Sequence, residues 1–264
     1  MYWVALPGCA AQSSEVEFGV YPFLSPSELA VQFSPLKDYI TKSLGRPTTL
    51  VSAPDFTSFI ERTQKGEYDI IFTAPHMGRL AEKRDGYRRV VQTGYQIEIV
   101  VLGRRQGNVR SIEDLRGRSI AIGSRTSMTY QIIDQALRVK GLVLEKDVRV
   151  VETQSFSNVL HALMRKEADA GGTGTLLWDA ASDEYKKELV EVFKAPPTPG
   201  FLILAHPRIG RANIRKLQEA LTVFKNTPEG AAYFERTRQV DFRPINDATM
   251  RRIEPFTAVL TQGR

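Results

Sequence analysis

Cysteine occurs once, at Cys9, so no disulfide can close within the chain and no cysteine-built zinc site can form. Histidine is nearly as scarce. His76, His161 and His206 are far apart, and no His-Glu-x-x-His pattern joins any two of them. There is no Gly-x-Ser-x-Gly elbow and no Cys–His arrangement suited to nucleophilic catalysis. Adjacent carboxylates such as Glu113-Asp114 and Asp183-Glu184 read as solvated helix residues. These absences argue against an enzyme and leave nothing that calls for a metal or a cofactor. No stretch approaches the roughly 18 apolar residues of a membrane-spanning helix. Basic and aromatic residues do not interleave along any one strand or helix, so nucleic-acid binding finds no support either.

What is present is an ordinary globular composition. Hydrophobic residues make up 42% and charged residues 25%, enough apolar material for two modest cores. Lys and Arg number 36 against 30 Asp and Glu, a net charge of +6, which favours anionic partners. The densest basic runs are pairs, Arg104-Arg105 and Arg251-Arg252, and such pairs belong to solvated faces.

The position of Cys9 is informative. Leu6-Pro7-Gly8-Cys9 has the form of a bacterial lipoprotein cleavage site after the apolar Tyr2–Leu6, and Ala10–Ser14 reads as a tether. Only eight residues precede Cys9 and none is basic, short of a full signal segment. The expectation is that residues 1–14 are a signal remnant and tether, with the true start upstream and Cys9 the site of lipidation.

From Glu15 onward strands and helices alternate. Val16–Tyr21 is β-rich, and Ser25-Pro26-Ser27-Glu28 carries a capping hydroxyl, a Pro at the first helical position and a Glu at the third. That helix runs to Leu44 and stops at Gly45. Strands at Thr48–Ala53 and Tyr68–Thr73 follow, with helices opened by Asp55 and Pro75. Val90–Gly103 is one long β-rich stretch, and Arg104–Asn108 a polar turn. The alternation then restarts: strand Ser119–Gly123, helix Thr126–Val139, strand Val148–Val151, helix Phe156–Arg165, strand Ala168–Gly172. Strands separated by helices of this length imply parallel pairing. Lys194–Gly200, with three prolines, is irregular; strand Phe201–Ala205 follows. The remainder reads as three helices, starting near Ala212, after Thr227 and at Asn246. Without new strands they must pack back on the first unit, so the chain crosses between two α/β units twice.

The segment richest in chemistry is Ser119–Thr129. A buried strand ends at Gly123, and Ser124, Thr126, Ser127 and Thr129 put four hydroxyls into the next six residues, where a helix starts. A helix N-terminus offers unpaired N–H groups and partial positive charge, a setting that suits a small oxyanion. The competing reading is plain N-capping. Gly171-Gly172-Thr173-Gly174-Thr175 also follows a strand; it lacks the Lys of a P-loop and reads as a second, backbone-rich wall of the same cleft. Thr73 and His76 stand at the end of a first-unit strand, and Tyr95 sits in a β run with polar neighbours.

These residues, taken with their order along the chain, resemble the phosphate/phosphite/phosphonate substrate-binding proteins of ABC transporters. The matching stretches include Phe18–Pro22, Pro35–Ile40, Gly66–Ile70, Asp114–Gly117, Ala121–Thr129, Ala168–Gly171 and Thr227–Gly230. The resemblance implies an α/β, two-lobed type 2 periplasmic binding protein, each lobe a mixed, mostly parallel sheet flanked by helices. It places lobe 1 at residues 15–102 and 201–264, lobe 2 at 103–200, and hinges near Leu102–Arg104 and Thr198–Phe201. It implies a monomer in the periplasm or cell envelope that binds a phosphorus oxyanion between the lobes, without catalysis, and delivers it to a membrane permease. A sensor that presents the anion to a signalling receptor is the alternative, and an enzyme on the same fold a more distant one.

In that family a Ser-Thr-Ser-Gly run at a lobe 2 helix start cradles the anion; here the run is Ser127-Met128-Thr129-Tyr130. A family Ser-His-acid turn becomes Ser155-Phe156-Ser157, and Ser124, Arg125 and Thr126 are the candidates to replace the lost groups. The expected contacts are therefore Ser124, Thr126, Ser127, Thr129, Ser155 and Thr173 from lobe 2, with Tyr21, Thr73, His76 and Tyr95 from lobe 1.

Overall fold

In the computed structural model, residues 15–153 and 156–260 are described; Cys9 and Ser155 lie outside them. The elements run β1 (Val16–Val20), α1 (Pro26–Leu44), β2 (Thr48–Val51), α2 (Phe56–Gln64), β3 (Ile70–Thr73), α3 (Pro75–Asp85) and β4 (Arg88–Thr93). Next come β5 (Ile99–Arg104), β6 (Ser119–Ile122), α4 (Met128–Val139), β7 (Arg149–Glu152), α5 (Phe156–Met164), β8 (Ala170–Gly174), α6 (Thr175–Asp179) and α7 (Asp183–Glu188). The chain ends with β9 (Leu189–Lys194), β10 (Leu202–Ala205), α8 (Arg211–Val223), α9 (Pro228–Thr237), β11 (Phe242–Arg243) and α10 (Asp247–Ile253).

Local chemistry accounts for the first helix. The Ser25 hydroxyl accepts from the Glu28 amide while Glu28 reaches back to the Ser25 amide at 3.0 Å, a reciprocal cap. Leu29, Phe33, Leu36, Ile40 and Leu44 form its buried stripe, and Gly45 closes it with φ +66°, a conformation that glycine adopts without steric cost. Pro35 interrupts the ladder, since it has no N–H for the Val31 carbonyl. The Arg236 guanidinium of α9 donates to that carbonyl at 3.2 Å and fills the gap.

Two sheets result. The first has the order β11-β4-β10-β3-β1-β2, the second β7-β6-β8-β5-β9. The βαβ units pair in parallel: β1 with β2 and β3, and β6 with β7 and β8. β10 is antiparallel to β3 and β4, and β5 is antiparallel to β8 and β9. β3 and β6 are buried throughout, as strands covered by helices on both faces should be.

Three expectations are corrected. The stretch Val90–Gly103 is not one strand: β4 belongs to the first sheet and β5 lies wholly in the second. The first crossing therefore falls between Thr93 and Ile99, upstream of the expected Leu102–Arg104. There Ile97 and Thr198 exchange backbone hydrogen bonds, each 2.9 Å, so the two crossings pair with each other. The C-terminal part also holds a strand, because β11 pairs antiparallel with the edge strand β4; two residues are too short for a periodic signal. Finally, Gly171 and Gly172 are packing positions. A Cβ on Gly171 would lie 2.6 Å from Val159 of α5, and one on Gly172 only 2.2 Å from Ile133 of α4.

Candidate functional site

The turn after β6 spends much of its hydroxyl chemistry on itself. Ser127 is the N-cap of α4: its hydroxyl accepts from the Tyr130 amide at 3.2 Å and donates to the Ser124 carbonyl at 2.6 Å. Its proton is thus committed, and the capping reading holds for this residue. Ser124 and Thr126 hydroxyls bond each other at 3.0 Å. What remains at the helix start are the Met128 and Thr129 amides and the Thr129 hydroxyl, which make no hydrogen bond among the described residues. These are the orphan donors that every helix N-terminus leaves.

The residues that bear them line a cavity of about 210 Å³ between the two sheets. Ser127, Met128 and Thr129 line one side of it, with Gly174 and α6. Tyr21, His76 and Tyr95 line it from the first-sheet side. The Tyr95 hydroxyl lies 2.9 Å from the Thr175 hydroxyl, and His76 Nε2 lies 2.8 Å from the Thr126 carbonyl, so both sides are tied together.

The buried ionisable side chains of the site are uncharged. Burial pushes His76 down to about 4, with its bond to Thr126 acting weakly the other way, so its imidazole is neutral near pH 7. A carbonyl only accepts, so Nε2 carries the proton. Burial likewise raises the Tyr95 and Tyr21 hydroxyls. Among the described residues no Asp, Glu or Lys lines this cavity, and its cations, Arg236 and Arg238, come from the end of α9. A largely apolar cavity with a helix start at one wall and two guanidiniums in its lining can hold an anion through amides and hydroxyls, which act more strongly where ligand displaces water than in bulk. Among the described residues it holds no base or nucleophile placed for chemistry.

Residues 18–250 match the family described as "ABC transporter, phosphonate, periplasmic substrate-binding protein". The chain belongs to this family. Its members are substrate-binding transport proteins rather than enzymes. A phosphonates-binding periplasmic protein of Escherichia coli (strain K12) is 22% identical over 252 residues, 89% of this chain and 74% of that protein. PhnD1 of Prochlorococcus marinus, solved with methylphosphonate, superposes with TM-score 0.84 at 12% identity, covering 95% of this chain and 99% of the other. The periplasmic aliphatic sulphonate binding protein of Escherichia coli does so with TM-score 0.64 at 15% identity, over 95% and 92%. The two-sheet architecture is thus the two-lobed type 2 fold of the phosphonate-binding family, and the expected family and fold hold.

Within this phosphonate-binding fold the expected contacts divide. Ser127, Thr129, Tyr21, His76 and Tyr95 line the main cavity. Ser124 instead lines an adjoining one of about 300 Å³, with Gly123, Glu152 and Thr153. Thr126 lines neither: it contributes its carbonyl to His76. Thr73 and Thr173 are fully buried at their strand ends, with hydroxyls that find no partner among the described residues. Arg125 is spent on Glu145 at 2.6 Å and on Glu152, so it is no replacement donor.

Sequence reasoning missed the aromatic and aliphatic wall. Phe23, Phe56, Phe156 and Phe201 all line the cavity, as do Leu176 and Leu177. Single phenylalanines default to core packing, and only the departure at Ser127-Met128-Thr129 hinted at an apolar site.

Proposed function

We propose that this chain binds a phosphorus oxyanion between its lobes and delivers it, as a monomer, to its ABC permease. The observation that carries the reading is that the α4 start, with the Met128 and Thr129 amides and the Thr129 hydroxyl, shares one inter-lobe cavity with Tyr95 and His76. Ligand touching both walls favours the closed form, the state a membrane partner can read. The reading assigns residues 15–93 and 202–260 to lobe 1 and residues 99–194 to lobe 2, with the paired segments around Ile97 and Thr198 as hinges. Ser127 positions the helix start, Tyr21 and Tyr95 close on the ligand, and His76 backs the cavity while its Nε2 holds the Thr126 carbonyl of the other lobe.

Isothermal titration with phosphate, phosphite, methylphosphonate, phenylphosphonate and sulfate tests the proposal. Saturable binding of at least one phosphorus anion in preference to sulfate supports it. A folded protein that gives heat with none of them overturns it. Anchoring through Cys9 remains part of the proposal on sequence grounds, and mass spectrometry of the native N-terminus decides it: a diacylglyceryl adduct on Cys9 is the expected finding.

A further inference from the structure

The lining of the cleft carries the reading further. From the first lobe, Tyr21 and Phe23 stack at 4.7 Å and 15° between ring centroids and planes. Phe201 lies 5.8 Å from Phe23, and Phe56 lies 5.7 Å from Tyr21. Phe56 then meets Phe156 of the second lobe at 6.2 Å. One aromatic wall thus crosses from lobe to lobe. Opposite it, Leu176 and Leu177 of α6 and Met128 of α4 complete an apolar enclosure.

Tyr21 and Phe201 belong to the buried core, but the other three rings of this wall are not ordinary core. Phe18, Phe33 and Phe72 are fully buried, whereas Phe23, Phe56 and Phe156 are only half-buried and border about 210 Å³ of open space. That space is on the order of seven water volumes, far more than four oxygens about one phosphorus fill. A bare, strongly hydrated anion would surrender its water there for a few amides, one hydroxyl and the two guanidiniums at the end of α9, and would leave most of the apolar wall without a partner. An ammonium group on the ligand would find no carboxylate, since neither Asp nor Glu lines the cavity.

We propose that the cleft is built for a tetrahedral oxyanion carrying an apolar, preferably aromatic, substituent: the head sits at the Met128–Thr129 amides and the substituent lies against the Tyr21–Phe23–Phe56–Phe156 wall. This rests on the proposed cleft function and narrows its ligand class. Carbon–phosphorus and ester linkages share this chemistry. Bare and amino-substituted anions do not.

The test is titration calorimetry of the full chain with phenylphosphonate, phenyl phosphate, methylphosphonate, 2-aminoethylphosphonate and phosphate. Burying a ring against this wall should make phenylphosphonate bind roughly tenfold or more tighter than methylphosphonate, with 2-aminoethylphosphonate weaker than methylphosphonate. Phenyl phosphate as tight as phenylphosphonate extends the class to esters; a clear preference for phenylphosphonate confines it to the carbon–phosphorus bond. Phosphate, methylphosphonate or 2-aminoethylphosphonate binding as tightly as phenylphosphonate overturns the inference while leaving the cleft in place. Binding of none of the five removes the cleft reading itself, and the inference with it.

Discussion

His76 Nε2 lies 2.8 Å from the carbonyl oxygen of Thr126, and this bond joins the start of α3 in one lobe to the turn before α4 in the other. The imidazole has no exposed surface, and its Nδ1 is buried without a partner. A neutral ring is tolerable there; a charged one is not.

The first prediction follows from that burial. The folded form holds His76 down to about 4, whereas the unfolded chain titrates near 6.5. Below about pH 6.5 the unfolded chain therefore binds a proton that the folded form refuses. The stability tied to neutral His76 is complete above about pH 6.5, falls as pH drops toward 4, and levels off below that, by at most about 3 kcal/mol. Melting temperatures of the parent and His76→Gln between pH 7.5 and 4.5 check this. The parent should lose several degrees more than the variant over that range; parallel declines would refute the assignment.

Thr129 separates binding from folding. Its methyl group faces the position of a Gly172 Cβ at 3.4 Å, so Thr129→Val keeps that packing and deletes only the hydroxyl. Loss of one hydrogen bond to a charged ligand costs about 1.5–3 kcal/mol, roughly tenfold to a hundredfold in affinity. The denaturation midpoint should move little. Unchanged affinity for the best oxyanion would remove Thr129 from the site.

Arg125 makes the opposite case. As a guanidinium two residues before the α4 cap it looks like an anion ligand, yet Glu145 and Glu152 hold it, and its side chain is about half exposed, at 47%. Exposed pairs of this kind contribute about 1 kcal/mol or less. Arg125→Ala should therefore leave oxyanion affinity within about twofold. A drop of tenfold or more would mean that the guanidinium reaches the ligand.

The contrast between these residues shows what the sequence could reveal. Strong local signals carried through: the Ser25–Glu28 cap and the Gly45 stop are both one-helix phenomena, and the βαβ alternation implied parallel pairing. The start of α4 as one wall of a cavity was also legible, as were Tyr95 and His76 across from it. What failed depended on neighbours distant in sequence. Val90–Gly103 reads as one strand because both halves are β-rich; only sheet membership splits it. Of the Gly171–Thr175 run read as a backbone-rich wall, Gly174 lines the cavity, whereas Gly171 and Gly172 sit where Val159 and Ile133 take the space a side chain would need. Phe23 and Phe156 carry no periodic signature of a cleft wall, because a ring beside a cavity and a ring in a core have the same letter.

Gly200 offers the last test, at the crossing itself. A Cβ there would lie 2.1 Å from the Tyr95 carbonyl oxygen, 2.2 Å from the Thr93 hydroxyl and 2.8 Å from the Thr93 carbonyl oxygen. Two of these three are backbone atoms of the other crossing segment, so no rotamer change relieves the clash. The strand pair would have to move apart, breaking the register that Ile97 and Thr198 hold two residues away. Overpacking costs typically about 1–3 kcal/mol where side chains can give way, and backbone neighbours put Gly200→Ala at the upper end or beyond. The variant should show a lower urea midpoint and weaker oxyanion binding together, since Tyr95 lines the cavity from the displaced segment. A variant with the parent's midpoint and affinity would show that the two crossings are not packed as tightly as these distances require.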